Sequence, residues 1–386
     1  MAELAAPAGG FERVIGRRRG EAPGPTLIAV AGVHGNEPAG VHAARRVLLR
    51  LAEADLRVSG ELVALCGNLR ALRQNRRYLD RDLNRQWTAA GMARAAASPD
   101  GAEGEELVEL RAALDEVVAA ARGPVCFVDL HTTSAEGIPF ALVGDTLAQR
   151  RFAAQFPLPA ILGLEEQIDG VLAEYMASLG ATSLSVEGGQ HDSPDSARSL
   201  ESVLVCAVAA AGLVDRVAMP GVAEAEAHLA RLAAGLPRLT EIVGRHPVTA
   251  EDGFRMEPGY ANIGRVRAGE LLAHDRRGDI RARQDGVLLL PLYQALGDDG
   301  FFFGREIGDL EQRASGWARR LGVDRLLAAL PGVRRGIGAA ATESLDLRPG
   351  AARAYPQSVF RWFGYRRAER GSDGSVTLAR RRNPKS

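Results

Sequence analysis

Lysine is almost missing from this chain of 386 residues. All but one of its 48 basic residues are arginine, and the one lysine is Lys385 in the extreme tail. The rest of the chain is therefore excluded from Schiff-base chemistry, from the phosphate-loop motif and from carrying lipoyl or biotin. Cysteine is nearly as scarce: Cys66, Cys126 and Cys206 each sit inside an apolar run. They read as small buried hydrophobes rather than a disulfide frame, which makes a reducing, cytoplasmic compartment the expectation. No apolar run approaches the ~20 residues that span a bilayer, and Phe11-Glu-Arg13 interrupts the Ala-rich start before a signal-peptide core can form. An excess of either charge is also missing, with 48 acidic residues against 48 basic. Neither nucleic acid nor an anionic membrane is an expected partner.

What remains is the composition of an ordinary globular protein, 46% hydrophobic and 25% charged, with room for more than one domain. The stretch that organises it is Ala31-Gly-Val-His-Gly-Asn-Glu-Pro-Ala-Gly40. The run Leu27–Ala31 predicts a buried strand, Gly32 its exit turn, and Pro38 the start of a helix to about Leu51. His34 and Glu37 then lie at the carboxyl end of that strand, where α/β sheets bind ligands. A histidine with a carboxylate is half of a zinc site, and a glycine-rich anion-binding turn is the alternative.

Three more apolar runs end in chemistry-bearing residues: Leu62–Cys66 in Asn68, Val125–Leu130 in His131, and Thr182–Val186 in Glu187. Helices are predicted between them, over 103–122, 164–179 and from an Asp195 N-cap to about Leu213. Such alternation predicts a parallel sheet covered on both faces, with all four endings at one edge. Residues 1–25 read as a flexible lead-in, 26–235 as the α/β domain and 88–102 within it as a mobile excursion. Short strand-like runs at 242–243, 261–263, 286–290 and 301–303 predict a small β domain over 240–310. Residues 311–386 form an Arg- and Gly-rich extension, expected to be a disordered basic tail from Arg366 onward.

Taken together, His34, Glu37 and His131 make the ligand set of a catalytic zinc with one open position. Glu187 is a free carboxylate able to move a proton, although a fourth-ligand or arginine-partner role is also open to it. Asp129, two residues before His131, can hold that imidazole from behind. Arg77 and Arg85 can supply positive charge to an oxyanion and to a carboxylate. His191 follows Gly188-Gly189 without a motif of its own.

Gly32-Val-His-Gly-Asn-Glu37, Arg77-Tyr-Leu-Asp-Arg-Asp-Leu-Asn-Arg85, Asp129-Leu-His-Thr-Thr133 and Val186-Glu-Gly188 resemble the succinylglutamate desuccinylase/aspartoacylase family, a branch of the zinc carboxypeptidase-like hydrolases. The resemblance implies a carboxypeptidase-like, mainly parallel sheet flanked by helices and followed by a small β domain. It implies one Zn2+ per chain on His34, Glu37 and His131, and Glu187 as general base and acid. It implies Arg77 polarising the scissile carbonyl, and Asn84 with Arg85 gripping a substrate carboxylate. The expected activity is hydrolysis of an amide, or secondarily an ester, of an N-acyl amino acid or similar small carboxylate. A zinc carboxypeptidase and a non-catalytic metal-binding protein are the alternatives, and homo-oligomerisation is left open. The chain departs from the family pattern twice. The aspartoacylase arginine about ten residues before the catalytic glutamate is missing, since Met176-Ala-Ser-Leu-Gly180 stands there, and Phe301–Phe303 occupies the region of a substrate-binding tyrosine. Both losses argue against N-acetylaspartate as substrate. Residues 261–290 also resemble a lipoyl-type β fold, without its carrier lysine.

Overall fold

The computed structural model describes residues 10–54, 56–294, 297–336 and 342–382. Eleven strands form one sheet in the order β1-β3-β2-β4-β7-β5-β6-β8-β14-β13-β10. In chain order its first eight are β1 (Val14–Arg19), β2 (Ala22–Ala31), β3 (Ser59–Cys66), β4 (Val125–Thr133), β5 (Phe140–Val143), β6 (Ala160–Leu162), β7 (Thr182–Gln190) and β8 (Leu239–Pro247). β3, β2, β4 and β7 run parallel, so the four expected strand ends do meet at one edge. Side-chain alternation divides the apolar residues of these strands between two cores. Leu27, Leu62, Val128 and Leu184 face one, with α1 (Ala39–Glu53); Ile28, Val63 and Phe127 face the other.

Several local expectations need correction. The lead-in is not loose throughout, because residues 14–19 form β1, paired antiparallel with β3. α2 (Leu69–Arg73) starts at Asn68, whose side chain accepts from the Ala71 amide; that capping, together with donation to Glu103, accounts for this buried polar group. The excursion at 88–102 contains α3 (Ala89–Ala97), capped by Thr88, whose hydroxyl accepts from the Gly91 amide. α4 (Gly101–Ala119) buries Leu107, Leu110, Leu114 and Val117 as the periodicity predicted. α5 (Leu147–Ala153) follows β5. The helix expected over 164–179 is a single tight turn at Leu164–Glu166 and then α6 (Leu172–Ser178). Gly170 separates them at φ +77°, where a Cβ would lie 2.3 Å from the Arg85 carbonyl oxygen. α7 (Pro194–Ala210) is capped by Ser193 rather than Asp195, with proline in its first turn, and α8 (Val222–Leu232) follows.

In the small β region, β9 (Arg255–Met256), β11 (Leu271–Asp275) and β12 (Gly278–Arg281) form a three-stranded sheet. β10 (Gly264–Val266), β13 (Gly286–Leu289) and β14 (Asp299–Glu306) extend the large sheet past β8. Residues 261–263, read as a strand, form a turn. Asn262 in it donates to Thr133 Oγ1 at 3.1 Å and accepts from the Leu290 amide at 2.7 Å, hooking this region onto the end of β4.

The last region differs most from expectation. α9 (Asp309–Arg320), β15 (Val333–Gly336), β16 (Thr342–Leu347), α10 (Pro349–Ala354), α11 (Gln357–Trp362), β17 (Arg367–Arg370) and β18 (Val376–Arg381) build a four-stranded sheet with its own helices. Leu345, Leu347, Phe360, Tyr365 and Leu378 supply its core. The disorder expected from Arg366 is therefore not found through Arg382; the last four residues lie outside the described ones.

Candidate metal and hydrolytic centre

β2 ends at Gly32, whose φ of +68° turns the chain sharply. The next turn is closed by the Glu37 amide on the His34 carbonyl at 3.1 Å. Its side chains fold back on each other, His34 Nδ1 lying 2.8 Å from Glu37 Oε1. β4 brings His131 to the same carboxylate, Nδ1 being 3.0 Å from Glu37 Oε2, and the Thr132 amide donates to that oxygen at 2.9 Å. The imidazole centroids are 5.0 Å apart. All three side chains are buried, and their ligand atoms lie within 4.8 Å of one another.

Each imidazole also has a carboxylate on its far side. His34 Nε2 is 3.1 Å from Asp82 Oδ1. His131 Nε2 is 3.0 Å from Asp129 Oδ2, an ion-pair approach without hydrogen-bond alignment, since neither atom has an aligned partner. A carboxylate on Nε2 leaves Nδ1 to face a ligand. Asp82 was not singled out from the sequence; its position inside the arginine-rich motif, five residues after Arg77, was the available signal. Asp82 also accepts from Arg77 Nη2 at 3.1 Å, and Arg77 Nη1 lies 3.7 Å from Glu37.

The register of β4 with β7 sets Glu187 directly beside His131 and Ser185 beside Asp129. Glu187 Oε2 is buried without a hydrogen-bond partner among the described residues. Burial pushes its carboxyl up to about 8, with His131 and Arg77 pulling down and Glu37 and Asp129 pushing up. Burial works against charge on His131, but Asp129 and Glu37 outweigh it and hold its pKa well above the usual imidazole value. Four carboxylates, Glu37, Asp82, Asp129 and Glu187, thus crowd around Arg77, with Arg85 acting on Asp82 as well. Two Nδ1 atoms, a carboxylate and this surplus of negative charge fit a divalent ion such as zinc.

The arginine-rich loop is held in place by Glu103 of α4, a residue no motif had marked. Its carboxylate accepts from the amides of Leu79 at 2.7 Å, Asp80 at 2.8 Å and Arg81 at 3.2 Å, and from Asn68 Nδ2 at 3.0 Å. A buried carboxylate satisfied by backbone amides is a strong anchor. His34, Glu37, Arg77, Asn84, Arg85, His131 and Glu187 all line one cavity of about 440 Å³, while Asp129 sits behind it. Two of them carry other engagements. Asn84 Oδ1 accepts from the Leu172 amide at 2.8 Å, in the first turn of α6, and Arg85 Nη2 lies 3.6 Å from Asp299 of β14. His191 also lines the cavity and shares a 2.7 Å hydrogen bond with Thr132 Oγ1. Of Phe301–Phe303, Phe302 alone reaches it; Phe301 stacks on His246 with centroids 5.0 Å apart. Among the described residues no helix is long and apolar enough to cross a membrane.

Residues 23–205 match the family model described as the succinylglutamate desuccinylase/aspartoacylase catalytic domain. A succinylglutamate desuccinylase of Photorhabdus laumondii is 33% identical over 137 residues, 34% of this chain and 40% of that protein. One from Burkholderia lata is 33% identical over 125 residues, 31% of this chain and 34% of the relative. The matched stretch thus spans well under half the length of these relatives. The solved succinylglutamate desuccinylase of Vibrio parahaemolyticus superposes with a TM-score of 0.55 at 14% identity, covering 75% of this chain and 84% of that one. The product-bound ectoine utilization protein of Ruegeria pomeroyi gives 0.52 at 19% identity, covering 74% and 86%. At these identities the superpositions establish the fold, a mixed sheet with mostly parallel central strands flanked by helices, β5 pairing antiparallel with β7, and an antiparallel region after it.

Proposed function

We propose, from the match of residues 23–205 to the succinylglutamate desuccinylase/aspartoacylase catalytic-domain model, that this protein is a zinc-dependent deacylase cleaving the amide of an N-acyl amino acid. The observation that carries the reading is the convergence of His34 Nδ1, His131 Nδ1 and the Glu37 carboxylate beside the unpartnered Glu187 Oε2. Zinc on those three residues supplies Lewis acidity, which polarises a carbonyl and acidifies water near neutral pH.

Glu187 takes the proton of the attacking water and returns it to the leaving nitrogen, so acyl carboxylate and free amine leave with atoms balanced. Burial suits it to both steps, because it raises proton affinity toward working pH. Arg77, held by Asp82, faces the charge developing on the carbonyl oxygen. Arg85 and the amide nitrogen of Asn84 grip the substrate carboxylate, which draws Arg85 away from its loose contact with Asp299. Asp129 and Asp82 orient the two imidazoles. The Phe302 wall and the missing arginine near Ala177 select against an acyl aspartate. An amide is preferred over an ester because a returned proton is what a nitrogen leaving group needs.

The reading is tested with metal-loaded and metal-stripped protein on N-acyl amino acids, acyl esters and short peptides. Acyl amino acids are expected to be hydrolysed by the loaded protein, with about one zinc per chain. His131→Ala is expected to lose both metal and turnover. Preference for peptides would favour the carboxypeptidase alternative, and full activity without metal would end the proposal.

A further inference from the structure

A second cavity, of about 240 Å³, adjoins the catalytic cleft. Leu142, Leu164, Val171 and Ser185 line both, so the two cavities meet along these four residues. Ser185 and Ser183 lie two and four residues before Glu187 on β7, about 7 and 13 Å away at the rise of a strand. The chamber therefore continues the reacting face of the sheet beneath α6. Ala177 is on its wall, in the region where the aspartoacylase arginine is missing, and Ala379 and Arg381 of β18 close it from the C-terminal region.

Among the described residues, the chamber's charges are matched with one exception. Asp145 is engaged by Arg150, Arg319 and Arg366. Arg380 is taken by Asp324 and Glu343, and Arg381 reaches Glu174 at 3.1 Å. Arg366 is spent on Asp145, Glu241 and Glu166. Glu165 lines the chamber and has no ion pair with any described residue. Burial pushes its carboxyl up to about 8, against the pull of Arg366 and with Glu174 adding to the push. An acid left without an ion pair in a chamber whose other charges are paired is matched by a cation brought in from outside.

Resting on the deacylase reading, we propose that this chamber receives the side chain of the substrate's amino-acid half, and that Glu165 binds its cationic end. The substrate class is then an N-acyl amino acid with a long, basic arm, an amine or guanidinium on an apolar stem. An arm leaving the scissile amide beside Glu187 passes Ser185 after the reach of a lysine or arginine side chain. The stem lies along Leu142, Leu164, Val171 and Ala177, and the charged head meets Glu165. The C-terminal region thereby acts as one wall of a specificity site.

The test compares Nα-acetyl-arginine and Nα-acetyl-lysine with Nα-acetyl-norleucine and Nα-acetyl-glutamate, on the zinc-loaded full chain. The basic arms are expected to exceed norleucine in kcat/KM by about 30-fold or more, the scale of a desolvated charge pair. Glu165→Gln should collapse that ratio toward one, a shift that a merely structural role for Glu165 would not produce. Ala177→Leu, which fills the chamber from α6, should penalise the arginine arm far more than an alanine arm. Equal kcat/KM for all four arms, or a ratio untouched by Glu165→Gln, overturns the proposal. If no acyl amino acid is turned over, the deacylase reading itself fails. The chamber is then judged by calorimetry with free arginine, norleucine and glutamate. Arginine binding that Glu165→Gln abolishes supports it, and equal binding of the three ends it.

Discussion

Two buried charge clusters in this protein use similar side chains to opposite ends. At the cleft, Glu37, Asp82, Asp129 and Glu187 gather around two imidazoles and Arg77. At the junction with the C-terminal region, Asp145, Glu166 and Glu241 meet Arg150, Arg305, Arg319, Arg361 and Arg366. In the second cluster every carboxylate has at least two guanidinium partners, and Arg366 alone bridges all three. In the first, Glu187 Oε2 and both Asp129 oxygens lack an aligned hydrogen bond. A balanced cluster leaves nothing for a ligand to do, whereas an unbalanced one keeps its surplus for an ion and a substrate.

The comparison breaks most visibly if each cluster is relieved of one charge. Glu187→Gln keeps the shape at the cleft but cannot accept a proton. Its kcat should fall roughly 10²–10⁴-fold with zinc retained. Loss of zinc would make Glu187 a ligand, and near-normal turnover would place the base elsewhere. The stability of this variant should not fall, because burial opposes the charge on Glu187 and its Oε2 has no hydrogen-bond partner among the described residues.

Arg366→Met should do the reverse. It leaves Asp145 to Arg150 and Arg319, Glu166 to Arg361 and Glu241 to Arg305, each one guanidinium short in a dry junction, a loss of at most about 3–5 kcal/mol. Urea unfolding followed by fluorescence should show it, with zinc content unchanged. A stability equal to that of the parent chain would mean that the junction is looser than its geometry says.

The two clusters also differ in how far they could be read from the sequence. The cleft was legible because each residue stands at the end of an apolar run, and parallel pairing carries all such ends to one edge. His34, Glu37, His131 and Glu187 needed only that rule. Asp82 was hidden because its place in the arginine-rich motif suggests only a structured loop, and no spacing ties it to His34 on another element. Glu103 was hidden because burial on a helix is set by what packs against it, here the backbone of residues 79–81. The C-terminal sheet was the least legible. Arginine and glycine density resembles a solvated tail, and only the acids supplied by residues 145, 166 and 241 make Arg366 a buried anchor. Gly170 shows the same limit on a smaller scale, for the apolar spacing over 164–179 continued through a position whose φ no helix accepts.

A smaller effect tests the orienting carboxylates. Asp82→Asn retains shape and a hydrogen-bond acceptor for His34 but loses a negative charge behind the imidazole. Zinc affinity should weaken about 10–100-fold, measured by competition with a chelator. Asp145→Asn, at the balanced cluster, should leave zinc affinity where it is. Equal losses from both substitutions would mean that folding, and not ligand orientation, controls the metal.

The smallest expected effect belongs to Glu165, which lies between the two clusters and shares the habits of the first. Burial raises its pKa in the folded chain to about 8, whereas an unfolded glutamate titrates near ~4.3. A raised folded value means that Glu165 favours the fold fully below the unfolded pKa. That contribution fades as pH climbs through about 8, because ionisation then costs more in the folded chain than in water. Glutamine cannot ionise, so the melting temperature of Glu165→Gln should exceed that of the parent by a margin that grows from pH 5 to pH 9. A margin independent of pH would show that Glu165 is already compensated. Saturating arginine should narrow the pH 9 margin, since a guanidinium in the chamber supplies the counter-charge the fold leaves out. The glutamate chain is the one that gains from it, whereas the glutamine variant has no charge for the ligand to meet.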